Sequence, residues 1–154
     1  LVLSTLHTND APSSLTRLHD LGVQPFLTAA TILGVLAQRL VRRLCPHYKQ
    51  ETHINEEEWQ HLTFDYIMEM PEKVYQAIGC EQCRHTGYKG RVGIYEFMPV
   101  SLELKHLISS HATLNELRSQ TKKESVEPLR IAGARKVIEG LTTLEEVLRV
   151  VPLN

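Results

Sequence analysis

The spacing of apolar and polar positions changes several times along this chain, and each change marks an expected element. Leu1-Val2-Leu3-Ser4-Thr5 has the apolar run of a short buried strand. The chain then passes into Leu6-His7-Thr8-Asn9-Asp10. Asp10 predicts an N-cap, Pro12 fits the first helical turn, and Leu15, Leu18 and Leu21 fall near one face of a short helix that Gly22 can end. Pro25 opens the longest expected helix, reaching about Leu44. Leu27, Ala30, Leu33, Leu36, Ala37, Leu40, Val41 and Leu44 supply its stripe, widened by Phe26, Ala29, Ile32 and Val35. A helix apolar over most of its circumference is expected to be buried. Arg42 and Arg43 fall in its last turn, where they oppose the helix dipole, and Pro46 stops it just after Cys45.

Residues 49–71 are polar and weakly patterned, so an exposed, variable insertion is expected, with Asn55 capping a short acidic helix over 56–62. Residues 73–78 read as a strand, 79–90 as a turn-rich loop, and 91–98 as a second strand. Two strands joined by a Cys-x-x-Cys loop predict a zinc-ribbon-like hairpin. From Ser101 onward the pattern is helical. Ser101 caps one helix, Thr113-x-x-Glu116 is a capping box for the next, Pro128 to Gly140 bounds a third, and Thr142-x-x-Glu145 is a box for the last.

Composition narrows the class. The chain has 154 residues, 42% hydrophobic and 23% charged, enough for one ordinary core with a small subdomain. The net charge of −1 gives no global field for nucleic acid or an anionic membrane. The longest nearly apolar run, Phe26 to Ala37, is too short to span a bilayer. The chain starts at Leu1 and shows no signal-peptide pattern, so it reads as a cytosolic piece of a longer protein.

Three cysteines, two of them in Cys80-x-x-Cys83, argue for a reducing compartment and metal chemistry. The third, Cys45, lies in Cys45-Pro46-His47-Tyr48; a cysteine at 48 would complete a second knuckle. Three readings stand. Cys45, Cys80 and Cys83 hold a structural zinc with His47, His53 or His85 as fourth ligand. Alternatively the site is degenerate, with Tyr48 filling the missing ligand's volume, or Cys80 and Cys83 pair oxidatively. His7, at the end of the first strand, is a candidate phosphate-sensing imidazole or a loop histidine bonded to backbone. Arg17 faces a nucleotide or neighbouring subunit, or is a solvated helix residue or a partner for Asp20. Glu56-Glu57-Glu58 reads as a solvated helix face, and the pairs Lys122-Lys123 and Arg135-Lys136 as exposed helix charge ahead of contacts to anionic lipid or a partner protein. No Gly-x-x-x-x-Gly-Lys-Ser/Thr occurs in the sequence.

The ordered segments together resemble a known family. Leu-Val-Leu-Ser-Thr-Leu-His-Thr-Asn-Asp at 1–10 resembles the histidine box of secretion-superfamily ATPases, and Leu15 to Val23 resembles the segment next to that box. Leu33 to Pro46 resembles the long helix leading into the metal motif, and Gly79-Cys80-x-x-Cys83 through Gly87-Tyr88-Lys89-Gly90-Arg91 to Glu96 resembles the second half of that motif. The match covers nearly the whole chain and is weakest over 49–72. The family is the GspE/PilB group of hexameric motors of type II secretion and type IV pilus assembly. The Cys-x-x-Cys motif separates it from the related pilus retraction group.

The resemblance implies an α/β chain. Residues 1–44 would be the end of a RecA-like P-loop NTPase core, 45–98 a metal-binding subdomain, and 99–154 a helical C-terminal subdomain. It implies ATP and Mg in the parent protein, with His7 sensing the γ-phosphate. It also implies a homo-hexamer on the cytoplasmic side of a bacterial inner membrane, partnered by secretion or pilus platform proteins. Without a phosphate-binding loop, the piece alone is expected to be inactive. The rival reading is a free-standing zinc-ribbon module that binds protein or nucleic acid, which the Cys-x-x-Cys hairpin alone would allow.

Overall fold

Asp10 begins the first helix as the sequence predicts. Its carboxylate accepts the Ser13 N–H at 2.8 Å, Ser13 returns the bond to the Asp10 backbone, and Pro12 lies in the first turn of α1, Ala11–Asp20. Gly22, at φ +89°, carries the chain out. The structure is a computed structural model that describes residues 1–64 and 66–151. Residue 65, in the polar stretch, and residues 152–154, at the end of the expected helical segment, lie outside the described residues.

The described chain forms α1, then α2 (Pro25–Thr31), β1 (Gly34–Leu44), β2 (Gln50–Thr52), α3 (Glu56–Thr63) and β3 (Val74–Gln76). A 3₁₀ turn over Glu81–Cys83 comes next, then β4 (Tyr88–Pro99), α4 (Leu102–Ser109), α5 (Leu114–Lys123), α6 (Leu129–Ile138) and α7 (Leu144–Val150). β1 pairs with β4 and β2 with β3, giving two small antiparallel sheets. The chain is therefore α/β, as expected. Its residues group into two compact units, 1–38 with 95–128 and 39–94 with 129–154, each built from two separated pieces of sequence.

The long helix expected from Pro25 to Leu44 does not form. α2 ends at Thr31, Ile32 turns extended, and β1 takes the remainder. Both periods fit this stretch, because Ala37, Val41 and Leu44 lie on one helical face yet Val35, Ala37, Arg39 and Val41 also alternate. The pairing with β4 decides between them. Ala37 and Val41 are buried, Leu36 and Leu40 exposed. Gly34 also matters, since a Cβ there would lie 3.1 Å from the Phe97 ring and 3.3 Å from the Met98 carbonyl. Arg42 and Arg43 are thus strand residues, not helix-end charges.

In the first unit, α1, α2, α4 and α5 pack on one another around Leu15, Ala29, Leu104, Ile108 and Leu117. The expected strand at 1–5 is not formed, and Leu1, Val2 and Leu3 are exposed; no strand among the described residues lies beside them to complete its hydrogen bonds. Ser101 and the Thr113/Glu116 box cap α4 and α5 as predicted.

In the second unit, α6 packs against α3, α7 and β3, burying Leu62, Val74, Ile131, Val137 and Val147. Asn55 caps α3 as expected, but the segment is not simply an exposed insertion. Trp59 and Leu62 are buried, and the Trp59 indole donates to the Met68 carbonyl at 3.0 Å. The expected hairpin of 73–78 with 91–98 is replaced by two other pairings. β3 lies against β2, Tyr75 opposite Glu51, while β4 takes β1. The reason is that Gln50-Glu51-Thr52 offers β3 a nearer edge, leaving β4 free for the much longer β1. The cap of the last helix is shifted by one residue, and the Glu146 carboxylate does not close a box. Thr143 accepts the Glu146 N–H, and the Thr142 hydroxyl instead donates to the Arg42 carbonyl at 2.8 Å.

Candidate metal centre and the histidine segment

Cys45 comes directly after β1, and Cys80 and Cys83 flank the turn that precedes β4. Pairing of the two strands therefore brings the cysteines together. The Cys45 N–H donates to the Gly87 carbonyl at 2.9 Å, locking the register at this end. Gly87 is required there: its φ is +77°, and a Cβ would sit 2.5 Å from the Ala77 Cβ. Gly79, at φ +97°, would likewise drive a Cβ to 2.6 Å from the His85 carbonyl oxygen.

The three sulfurs converge. Cys45 Sγ and Cys83 Sγ each lie 3.8 Å from Cys80 Sγ, and all three fall within 4.8 Å of one another. All three are free thiols. Zn–S bonds of about 2.3 Å in a tetrahedron place sulfurs about 3.8 Å apart, so the donor set fits zinc. The backbone is arranged for thiolate. The Cys80 N–H donates to Cys83 Sγ at 3.1 Å and the Gly87 N–H at 3.3 Å. Burial alone would push the Cys83 thiol up; these backbone donors outweigh it and bring it to about 7. Burial holds Cys80 above its usual range.

The other candidate ligands stand apart. His47 is exposed and does not join the three-sulfur group among the described residues. His53 engages the Glu72 carbonyl through Nδ1 at 3.1 Å, and His85 is exposed. Tyr48 is 51% exposed, so it does not fill a vacated ligand volume.

A set of residues that sequence reasoning did not single out braces the cysteine loop. Glu146 of α7 is buried, and its carboxylate accepts the Arg42 N–H and Nε, both at 2.9 Å, with Arg42 Nη2 at 2.8 Å. Arg149 adds two more bonds at 3.0 and 2.6 Å. The Arg42 guanidinium lies 4.1 Å from the Tyr88 ring centre, and the Tyr88 hydroxyl bonds Thr143 at 2.8 Å. Arg42 and Tyr88 stand three and one residues from Cys45 and Gly87 along the two paired strands. The usable signal was Glu146 itself, a carboxylate directly before Val147 on a short apolar helix.

His7 is exposed, in the irregular segment before α1, and Arg17 is exposed on α1. The residues after His7 are firmly held. Thr8 Oγ1 and Ser14 Oγ lie 2.8 Å apart, and Asp10 Oδ2 accepts Arg118 Nη2 at 2.6 Å and Nε at 3.1 Å. Glu96, buried in β4, accepts the Ala11 N–H at 3.0 Å at the start of α1, where a carboxylate also complements the helix dipole. Alternation was its signal, since Ile94, Glu96 and Met98 share one face of β4.

The family model described as "Type II/IV secretion system protein" matches residues 1–149. Over 154 residues the chain is 71% identical to the type IV pilus assembly ATPase TfpB of Acinetobacter baylyi, covering all of this chain and 26% of that protein. It is 45% identical over 150 residues to the type II secretion system ATPase E of Vibrio cholerae, covering 97% of this chain and 29% of that one. It is 42% identical over 148 residues to the type IV pilus assembly ATPase PilB of Thermus thermophilus, covering 96% and 17%. The chain thus spans between about a sixth and a third of the length of these relatives. With the match running through 149 residues, the chain belongs to the type II/IV secretion system protein family.

Proposed function

We propose that this chain is part of a hexameric motor ATPase that drives type IV pilus assembly. The observation that carries the reading is the 71% identity, over every residue, to a type IV pilus assembly ATPase. Identity to a type II secretion ATPase, 45%, is similar to the 42% shared with a second pilus assembly ATPase, so it is the 71% relative that favours pilus assembly. The free-standing zinc-ribbon reading is not favoured, because the family match extends over residues 1–149 and not over the cysteine loop alone.

In this reading residues 1–44 close a RecA-like core, 45–98 form the metal-binding subdomain, and 99–154 the helical C-terminal subdomain. His7 senses the γ-phosphate of Mg-bound ATP. Its support is the fixed Thr8–Asp10 segment, which offers an exposed imidazole a firm base. Arg17 faces the nucleotide or the neighbouring subunit. The phosphate-binding loop comes from the rest of the protein, so the isolated chain turns over no ATP. Cys45, Cys80 and Cys83 hold a structural zinc, which cross-links the end of β1 to the start of β4. The motor works at the cytoplasmic face of the inner membrane against pilus platform proteins. Among the described residues no helix is long and apolar enough to cross a membrane. A net charge of −1 offers nucleic acid no global attraction.

The test is ATP turnover by the Acinetobacter baylyi relative with its matching segment replaced by this chain. The chimera hydrolyses ATP, and His7→Ala lowers its turnover about 100-fold or more, as loss of a transition-state donor does. The 154-residue chain alone gives none. Turnover by the isolated chain, lost on His7→Ala, contradicts the proposal.

A further inference from the structure

We infer that the three-cysteine centre leaves one corner of its metal open, and that this corner takes a neutral oxygen or nitrogen donor from outside the chain. The inference rests on the zinc reading above and deepens it.

Three observations carry it. First, the sulfur spacing is that of a tetrahedral edge. Separations of 3.8 Å from Cys80 to its two partners match the edge expected from Zn–S bonds of about 2.3 Å, so three corners are supplied and the fourth is left. Second, no carboxylate, imidazole or fourth thiol among the described residues joins the group. His47 is exposed, His53 is bonded to the Glu72 carbonyl, and Tyr48 is turned half to solvent. Third, charge selects the donor. Three thiolates on a divalent ion leave one net negative charge, and a fourth anion would leave two. Cys45 and Cys83 are 0% and 5% exposed, and burying the second charge is costly. The two backbone N–H groups on Cys83 offset the first only in part. A neutral donor avoids the second charge altogether.

Cobalt(II) reports the fourth ligand directly through its visible absorption. The reduced protein is loaded with cobalt, and imidazole is titrated in. The expected result is the strong absorption of four-coordinate, thiolate-bound cobalt, with bands that shift saturably as imidazole enters. His47→Ala and Tyr48→Phe keep both the starting spectrum and the shift. A spectrum indifferent to imidazole, or one altered by His47→Ala or Tyr48→Phe before imidazole is added, overturns the open corner while leaving the zinc site standing. Failure of the reduced protein to bind cobalt or zinc at all overturns the zinc reading, and the open corner with it.

Discussion

Glu146 grips Arg42 from both sides, taking its backbone N–H at 2.9 Å and its guanidinium at 2.8 Å. The carboxylate is fully buried, while the Arg42 and Arg149 side chains are 48% and 60% exposed. One buried anion thus ties α7 to the strand that leads into Cys45. Burial by itself would raise the Glu146 pKa; bonds from Arg149 and Arg42 reverse this and pull it down to about 2.

Glu146→Gln is expected to destabilise the protein by about 2–3 kcal/mol in urea unfolding, because charged hydrogen bonds are lost while the buried position persists. Arg149→Ala, which removes an exposed partner, is expected to cost under about 1 kcal/mol. The pH dependence comes from the sign of the shift. A carboxyl with a depressed folded pKa stabilises fully above its unfolded pKa and loses that contribution as pH falls towards the folded value. Wild type therefore loses about 3 kcal/mol from this one group between roughly pH 5 and pH 2. Glu146→Gln flattens that limb, and unchanged acid sensitivity in the variant contradicts the assignment.

Gly87→Ala strikes the cysteine centre without touching a ligand. Gly87 gives its N–H to Cys83 Sγ and its carbonyl to Cys45, at φ +77° and with Ala77 packed against its α-carbon. Metal affinity, read by competition with a coloured chelator, is expected to fall about 10–100-fold, as for other supporting partners of metal ligands. Gly90→Ala is the control. Its φ is +80°, but a Cβ there meets nothing within 4 Å. It carries only the backbone cost of about 1 kcal/mol and keeps the metal.

Cys80→Ser removes the thiol that stands 3.8 Å from each of the other two. Zinc content measured on purified protein is expected to drop from about one per chain to near zero. Chelation of the wild type is expected to lower its melting temperature, since an ion held by Cys45, Cys80 and Cys83 would cross-link two strand ends.

Gly133→Ala tests the packing of α6 on α7. A Cβ would lie 2.4 Å from Val147 Cγ1, so two helices must separate or Val147 must leave its rotamer. The expected loss is about 1–3 kcal/mol, although alanine is the better helix former. Adding Val147→Ala should recover part of it, which a merely local helix effect would not allow.

Local chemistry in the sequence located most helices. Asp10, Asn55, Ser101 and Thr113 each cap the helix they were expected to cap, because an N-cap bond is settled within three residues. The strands were harder. Residues 33–44 carry helix-forming Leu, Ala, Gln and Arg in a pattern compatible with both periods, and only β4, more than 40 residues on, decides the outcome. The same long-range pairing explains why the cysteines were legible as a trio while their frame was not. Spacing announces Cys80-x-x-Cys83, but neither the β1–β4 partnership nor the reach of Glu146 across 104 residues to Arg42 is written locally.

Pilus assembly in living cells reports whether this chain serves an assembly motor. An Acinetobacter baylyi strain lacking TfpB is given TfpB carrying this chain in place of its matching segment, and surface pili are counted. Pili are expected at near wild-type numbers, lost with His7→Ala at unchanged protein level. Stable chimeric protein without pili, or pili that persist with His7→Ala, would contradict that role.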